Sequence, residues 1–254
     1  MSRATILQII RYPVKGLSAE PLERVTVTAG ETLPGDRIYA IENGPGRFDP
    51  EAPRHLPKVS FLMRARNGRL ATLSTRFDPA THVLTIERGG RPVASGDLSS
   101  PIGRRMIEQF MAAFMQGELR GAPKVVSAAG HSFTDVAVKC LHIVNLASVR
   151  DLERVSGRAI DPLRFRANIY IDGLAPWEEF RWLDMDLAVG TARLSVIDRT
   201  HRCAATEVDP ASGERNVAVT SELRRHFGHE DFGIYAKVIT GGEIGVGDGL
   251  GVVG

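Results

Sequence analysis

The sequence predicts a mainly β fold with a few helices, built as a barrel or as packed sheets. Three observations point there. Most of the chain consists of short β-branched runs broken by glycine, proline and asparagine, only three stretches carry helical periodicity, and the two kinds of element never alternate in a βαβ rhythm. At 254 residues, 43% hydrophobic and 24% charged, the chain suffices for one sizeable domain or two small ones sharing a core.

The chain opens with a five-residue apolar run that stops at Arg11 and Pro13, too short for a signal-peptide core. RYPVKG (11–16) interrupts this strand-like start. LERVTVTAG (22–30) reads as a strand ending at glycine, and GDRIYAI (35–41) puts Asp36 and Arg37 at a strand entrance. LATLST (70–75) and HVLTIERGG (82–90) read as neighbouring strands of a meander, joined through Asp78-Pro79. IGRRMIEQFMAAFMQGEL (102–119) is the strongest helical segment, with Ile102, Met106, Phe110, Met111 and Phe114 on one face. That Met/Phe stripe is assigned to core packing rather than to a cofactor pocket. GAPK (121–124) marks a seam, which divides the chain into 1–125 and 126–254. In the second half, LHIVN, NIYIDG, ARLSVID, NVAVT and GIYAKVIT repeat the strand pattern, and ASVRDLERVSG (147–157) and SELRRHFG (221–228) are helices stopped by glycine. GGEIGVGDGLGVVG closes the chain as two very short strands around a Gly-Asp-Gly turn.

Composition excludes several function classes. A formal net charge of +2 argues against nucleic acid as the main partner. No apolar stretch approaches a membrane span, and the expected setting is soluble, reducing and cytoplasmic. Cys140 and Cys203, far apart and without a CxxC pair, cannot make a disulfide framework, a structural zinc site or an iron–sulfur centre. Cys140 is expected to be a small buried hydrophobe.

Several motifs fail. GHSFTD (130–135) begins like a nucleophile elbow, but Thr134 occupies the second glycine position. HFGHED (226–231) gathers His226, His229, Glu230 and Asp231, yet Gly228 breaks the helix, so a solvated helix end is expected rather than a metal site. NGPGRF (43–48) lacks the Gly-Lys-Ser/Thr of a phosphate loop and reads as a turn. No G-x-G-x-x-G opens a helix, so no nicotinamide domain is expected.

What survives is a set of polar groups that are costly unless they share a site. Lys15 follows a broken strand, Arg37 stands at a strand entrance, and Arg164, Arg166 and Asn168 lead into an apolar strand. RTHRCAATEVDPASGERN (199–216) sets Cys203 among Arg199, His201 and Arg202 outside any apolar run. Cationic neighbours favour a thiolate, which could serve as a nucleophile or as a metal ligand.

These segments, in this order, resemble the MOSC family, named for the C-terminal domain of molybdenum-cofactor sulfurases. The likeness is to its two-part type with an N-terminal β-barrel region, as in the mitochondrial amidoxime-reducing component and its bacterial relatives. YPVKG with GDRIYAI, HSFTD followed by NLASVRDL, RFRANIYIDGLAPWEEFRW, RCAATEVDPASGERN and GIYAKVITGGEIGVGDGL carry the resemblance. It implies a MOSC-type β-barrel preceded by an N-terminal β-barrel-like region. It also implies a molybdenum cofactor, Mo-molybdopterin, with Cys203 as protein ligand to the metal, and no need for pyridoxal phosphate. By motif position Lys15, Arg37, Asp135, Arg166, Asn168 and Arg202 become cofactor contacts. The implied activity is two-electron reduction of N-hydroxylated small molecules, with electrons from a separate ferredoxin, flavodoxin or flavin reductase. The alternatives are a carrier holding a persulfide on Cys203, or a barrel without cofactor that binds another anionic ligand. The chain departs from the family pattern at Gly16, Val136, Ala137 and His201, where hydroxyl residues are common.

Overall fold

A computed structural model describes residues 3–44 and 46–253. Pro45 of the NGPGRF turn and Gly254 of the closing segment lie outside them. The first half runs β1 (Ala4–Arg11), β2 (Glu20–Leu22), β3 (Arg24–Val27), β4 (Ala40–Asn43), β5 (Ser74–Phe77), β6 (Val83–Arg88), β7 (Arg91–Asp97), α1 (Pro101–Phe114) and β8 (Pro123–Val126). The second half runs β9 (Leu141–Asn145), α2 (Leu146–Ser156), β10 (Ile169–Asp172), β11 (Asp186–Val189), β12 (Ala192–His201), α3 (Val219–Phe227), β13 (Asp231–Thr240), β14 (Gly242–Gly245) and β15 (Gly249–Val252).

Six second-half strands and β1 close a barrel in the order β1-β10-β9-β13-β12-β11-β15. Closure falls on β1, whose Ala4 and Thr5 pair with β15 while Thr5 to Ile9 pair with β10. The strands are antiparallel except β9 and β10, which run parallel and need the intervening α2 as a crossover. Residues two apart point inward, so Leu141 with Ile143, Leu194 with Val196, and Ile234 with Ala236 fill the interior. Helices α2 and α3 cover an outer face, where Leu152 and Leu223 pack with Tyr12, Tyr170 and Phe232. In the first half, the β5-β6-β7 meander, the β4-β8 pair and α1 enclose a second core around Leu84, Ile107 and Met111. The expected class, mainly β with few helices and a barrel behind a barrel-like N-terminal region, is the one observed.

Details differ from the sequence reading, for physical reasons. Helix α1 ends at Phe114, and its buried face is Gly103, Ile107, Met111 and Phe114. Ile102 and Met106, expected inside, are 74% and 50% exposed. The cause is a close crossing over β7: a Cβ on Gly103 would stand 2.1 Å from the Asp97 carbonyl oxygen, so the glycine must face the sheet. Met111 does sit in the core, as assigned. LATLST is mostly a 3₁₀ turn (Gly68–Thr72), with the strand starting only at Ser74. LERVTVTAG splits at Glu23, because β2 joins β1 while β3 joins β14. NVAVT is no strand: Val217 and Val219 bury against the outer core as the chain enters α3. The two closing strands do not pair, since β14 lies on β3 and β15 on β11 and β1. Helices α2 and α3 do end at glycines, Gly157 and Gly228, both left-handed.

Candidate functional site

The end of β1 and the loops around it open one cleft of about 270 Å³, lined by Lys15, Arg37, Asp135, Arg166, Asn168, Arg202 and Cys203 together. All seven residues singled out in the sequence therefore face one space. Lys15 and Arg37 come from the first half of the chain, and the other five come from segments before or between elements of the second half.

Backbone geometry explains how two arginines reach the cleft. Arg37 and Arg166 both hold left-handed backbone at φ 52. For a non-glycine residue this costs about 1–2 kcal/mol, which the surrounding bonds must outweigh. Arg37 N–H donates to the Tyr12 carbonyl at 2.7 Å, and the Arg37 carbonyl accepts from Phe133 N–H at 2.8 Å. Arg166 caps the 3₁₀ turn Pro162–Phe165. The Arg37 and Arg166 guanidiniums lie 4.8 and 4.1 Å from the Tyr12 ring centre.

The charges are paired unequally. Lys15 Nζ donates to the Phe133 carbonyl at 2.8 Å and also bonds the Asp135 carboxylate. Burial pushes the Lys15 ammonium below its ordinary value, against the pull of Asp135. Packing around Asp135 opposes its charge, yet Lys15 holds its carboxyl well below the usual range. Arg37 bonds Asp36, which outweighs burial and holds the guanidinium above its ordinary value. Arg166 has no such partner among the described residues. It donates to the Leu17 carbonyl at 2.8 Å, while its Nη2 is buried without a hydrogen bond. Burial, and then the like charges of Arg64 and Arg37, push it down to about 9, still charged at neutral pH. Arg202 donates to the Phe165 carbonyl at 2.8 Å and leaves Nε buried without a partner. Orphaned guanidinium nitrogens in a concave site call for an anion.

A basic group held below its unfolded value destabilises the fold while it is charged. For Arg166 that penalty is complete below about pH 9 and fades only as the pH rises from there toward the unfolded value. A bound anion removes it. Inorganic phosphate should therefore raise the Tm of the ligand-free protein at neutral pH, equivalent to about 2.7 kcal/mol at one hundred times Kd. Arg166→Met should gain clearly less in the same thermal scan, and an equal gain would contradict this reading.

Cys203 follows β12 and caps the 3₁₀ turn Ala204–Glu207, half-buried, with its carbonyl accepting from Thr206 N–H and Oγ1, both at 3.0 Å. The loop behind it is stapled by Arg164, only 2% exposed, which donates to the Glu207 carbonyl at 2.9 Å, Asp209 Oδ2 at 2.7 Å and Asn216 Oδ1 at 2.5 Å. DPASGERN is a turn closed by Asp209 N–H to the Glu214 carbonyl, and it leads to α3 rather than to a strand.

Asn168 is in the cleft wall, but its side chain is spent on the framework. Oδ1 accepts from His142 N–H at 3.1 Å and Nδ2 donates to the Ile10 carbonyl at 3.2 Å, tying β1 to β9. Gly16 stands at φ +84 with a would-be Cβ 3.1 Å from the Leu62 carbonyl oxygen, so glycine suits the backbone here. His201 is 71% exposed and lies within 3.6 Å of Glu230 and Asp231 carboxylates. Cys140 also lines the cleft, buried, its thiol pushed up to about 12 by burial.

Sequence reasoning missed Lys58, whose Nζ lies 3.1 Å from Cys203 Sγ. It also missed Arg64, which donates to the Gly16 carbonyl, and His142, which burial holds well below its ordinary value. Neither Lys58 nor Arg64 sits in a pattern that marks it, and only the fold brings them to the cysteine end of the other half.

Two family profiles cover nearly the whole chain: "MOSC N-terminal beta barrel domain" matches residues 3–136 and "MOSC domain" matches residues 130–250. The human mitochondrial amidoxime-reducing component 1 is 22% identical over 231 residues, 82% of this chain and 67% of that protein. The human molybdenum cofactor sulfurase is 39% identical over 61 residues, 24% of this chain. This chain spans only 7% of that sulfurase and 8% of its Bos taurus counterpart. The crystal structure of the Bacillus subtilis YUAD protein aligns over 98% of this chain and 94% of its own, at 12% identity and TM-score 0.46.

Proposed function

The chain belongs to the MOSC family, and from that premise we propose that its cleft holds a molybdenum cofactor and reduces N-hydroxylated small molecules. The observation that carries the reading is the pairing of a half-buried cysteine with orphaned buried guanidinium nitrogens in one cleft. When bound, the cofactor supplies a two-electron redox centre able to remove the oxygen of an N–OH group as water.

The residues present fit such a group. Cys203 offers a soft thiolate, suited to a thiophilic metal. Among the described residues no three His, Cys, Asp or Glu side chains stand together to hold an ion, and Cys203 is the side chain that would hold the metal in this reading. Arg166 Nη2 and Arg202 Nε hold free donors for the phosphate of the pterin. Lys15 and Arg37, fixed by Asp135 and Asp36, present further donors along the wall. Asn168 keeps the β1 end against the barrel and so sets the cleft's width. Electrons reach the site from a separate carrier, a ferredoxin, flavodoxin or flavin reductase.

Purified protein from a cofactor-competent host, given a chemical reductant, should convert an N-hydroxylated amidine to the amidine and water. Protein that instead releases sulfur to cyanide, carries no metal and reduces nothing would replace this reading with a persulfide carrier on Cys203.

A further inference from the structure

Lys58 differs from the ion-paired cations of the cleft. Lys15 is bonded to Asp135, Arg37 to Asp36 and Arg164 to Asp209. Among the described residues no carboxylate is bonded to Lys58, whose hydrogen-bond partner is the Cys203 sulfur at 3.1 Å. It is half-buried in a 3₁₀ turn, Lys58–Ser60, contributed by the first half of the chain. A partly dehydrated ammonium whose hydrogen bond runs to a sulfur gains most from a small, singly charged oxyanion.

We propose that Lys58 forms an anion seat at the Cys203 sulfur, which takes the carboxylate of an anionic substrate. Lys58 is then a specificity-determining residue: it draws the carboxylate to the sulfur end of the cleft and orients the molecule there. The seat exists without any cofactor; the statement about substrate rests on the reductase reading.

Alkylation of the cofactor-free protein tests the seat directly. The same thiolate attacks the CH2 carbon of iodoacetate or iodoacetamide and expels iodide, so the rate ratio of the two cancels the thiolate fraction and reports only the charge of the reagent. At Cys203, with Cys203→Ser as the control that assigns the label, iodoacetate should be favoured about tenfold beyond its ratio on free cysteine. Lys58→Met should bring the ratio back to that of free cysteine, and Lys58→Arg should retain the preference. A wild-type ratio equal to that of free cysteine, or no change in Lys58→Met, overturns the seat. In the loaded enzyme, the kcat/KM of a carboxylate-bearing N-hydroxylated compound over that of its neutral isostere should drop about tenfold in Lys58→Met. An equal loss for both compounds overturns the substrate assignment. Loaded wild-type protein that reduces neither compound, while iodoacetate stays favoured, upholds the seat and removes the reductase reading.

Discussion

Arg164→Met should destabilise the protein by about 3–5 kcal/mol, the cost of removing one partner from a buried, charge-assisted network. The methionine fills similar space but leaves the Glu207 carbonyl, Asp209 and Asn216 without the donors that now reach them at 2.9, 2.7 and 2.5 Å. Those three acceptors belong to the loop after Cys203, whereas Arg164 belongs to the segment that presents Arg166. The staple thus fixes the sulfur relative to the anion-binding guanidinium. Urea denaturation should show the loss. Amide exchange should speed up across residues 203–216 in Arg164→Met but not in Arg166→Met. A loss below about 1 kcal/mol, with exchange unchanged, would show that the loop holds itself.

Cys203→Ser should have the opposite profile, a large functional loss at little structural cost. The fold uses the Cys203 backbone, whose carbonyl binds Thr206, far more than its side chain. Thermal stability should therefore stay within about 1 kcal/mol of wild type. The hydroxyl is a poor ligand for a thiophilic metal, so reduction of N-hydroxylated substrate should fall by about a thousandfold or more. Retention of even a tenth of the wild-type rate would remove the cysteine from the chemistry.

The site was legible where polarity conflicted with local pattern. Lys15, Arg37 and Arg166 stand at strand ends where an unpaired charge would be costly, and Cys203 stands outside any apolar run, so each raised a question that one cleft answers. Lys58 raised none: a lysine after proline in a polar loop is ordinary, and its role depends on a contact 145 residues away in sequence. The fold shows the same divide. Period-2 runs identified β6, β9 and β13 because each buries one face or both, and left-handed glycines marked the ends of α2 and α3. The inward face of α1 was misread because a glycine, invisible to a hydrophobic pattern, decides which side can approach β7. NVAVT was misread because β-branched residues also suit a buried entry into a helix. The use of β1 to close the barrel of the other half is a long-range pairing that no local window contains.

The most direct test of the account is elemental and pterin analysis of the protein purified from cells that make the molybdenum cofactor. It predicts about one molybdenum and one phosphorylated pterin per chain, with the metal lost in Cys203→Ser. Wild-type protein that is folded but carries neither molybdenum nor pterin, or a Cys203→Ser variant that keeps its full metal content, would contradict it.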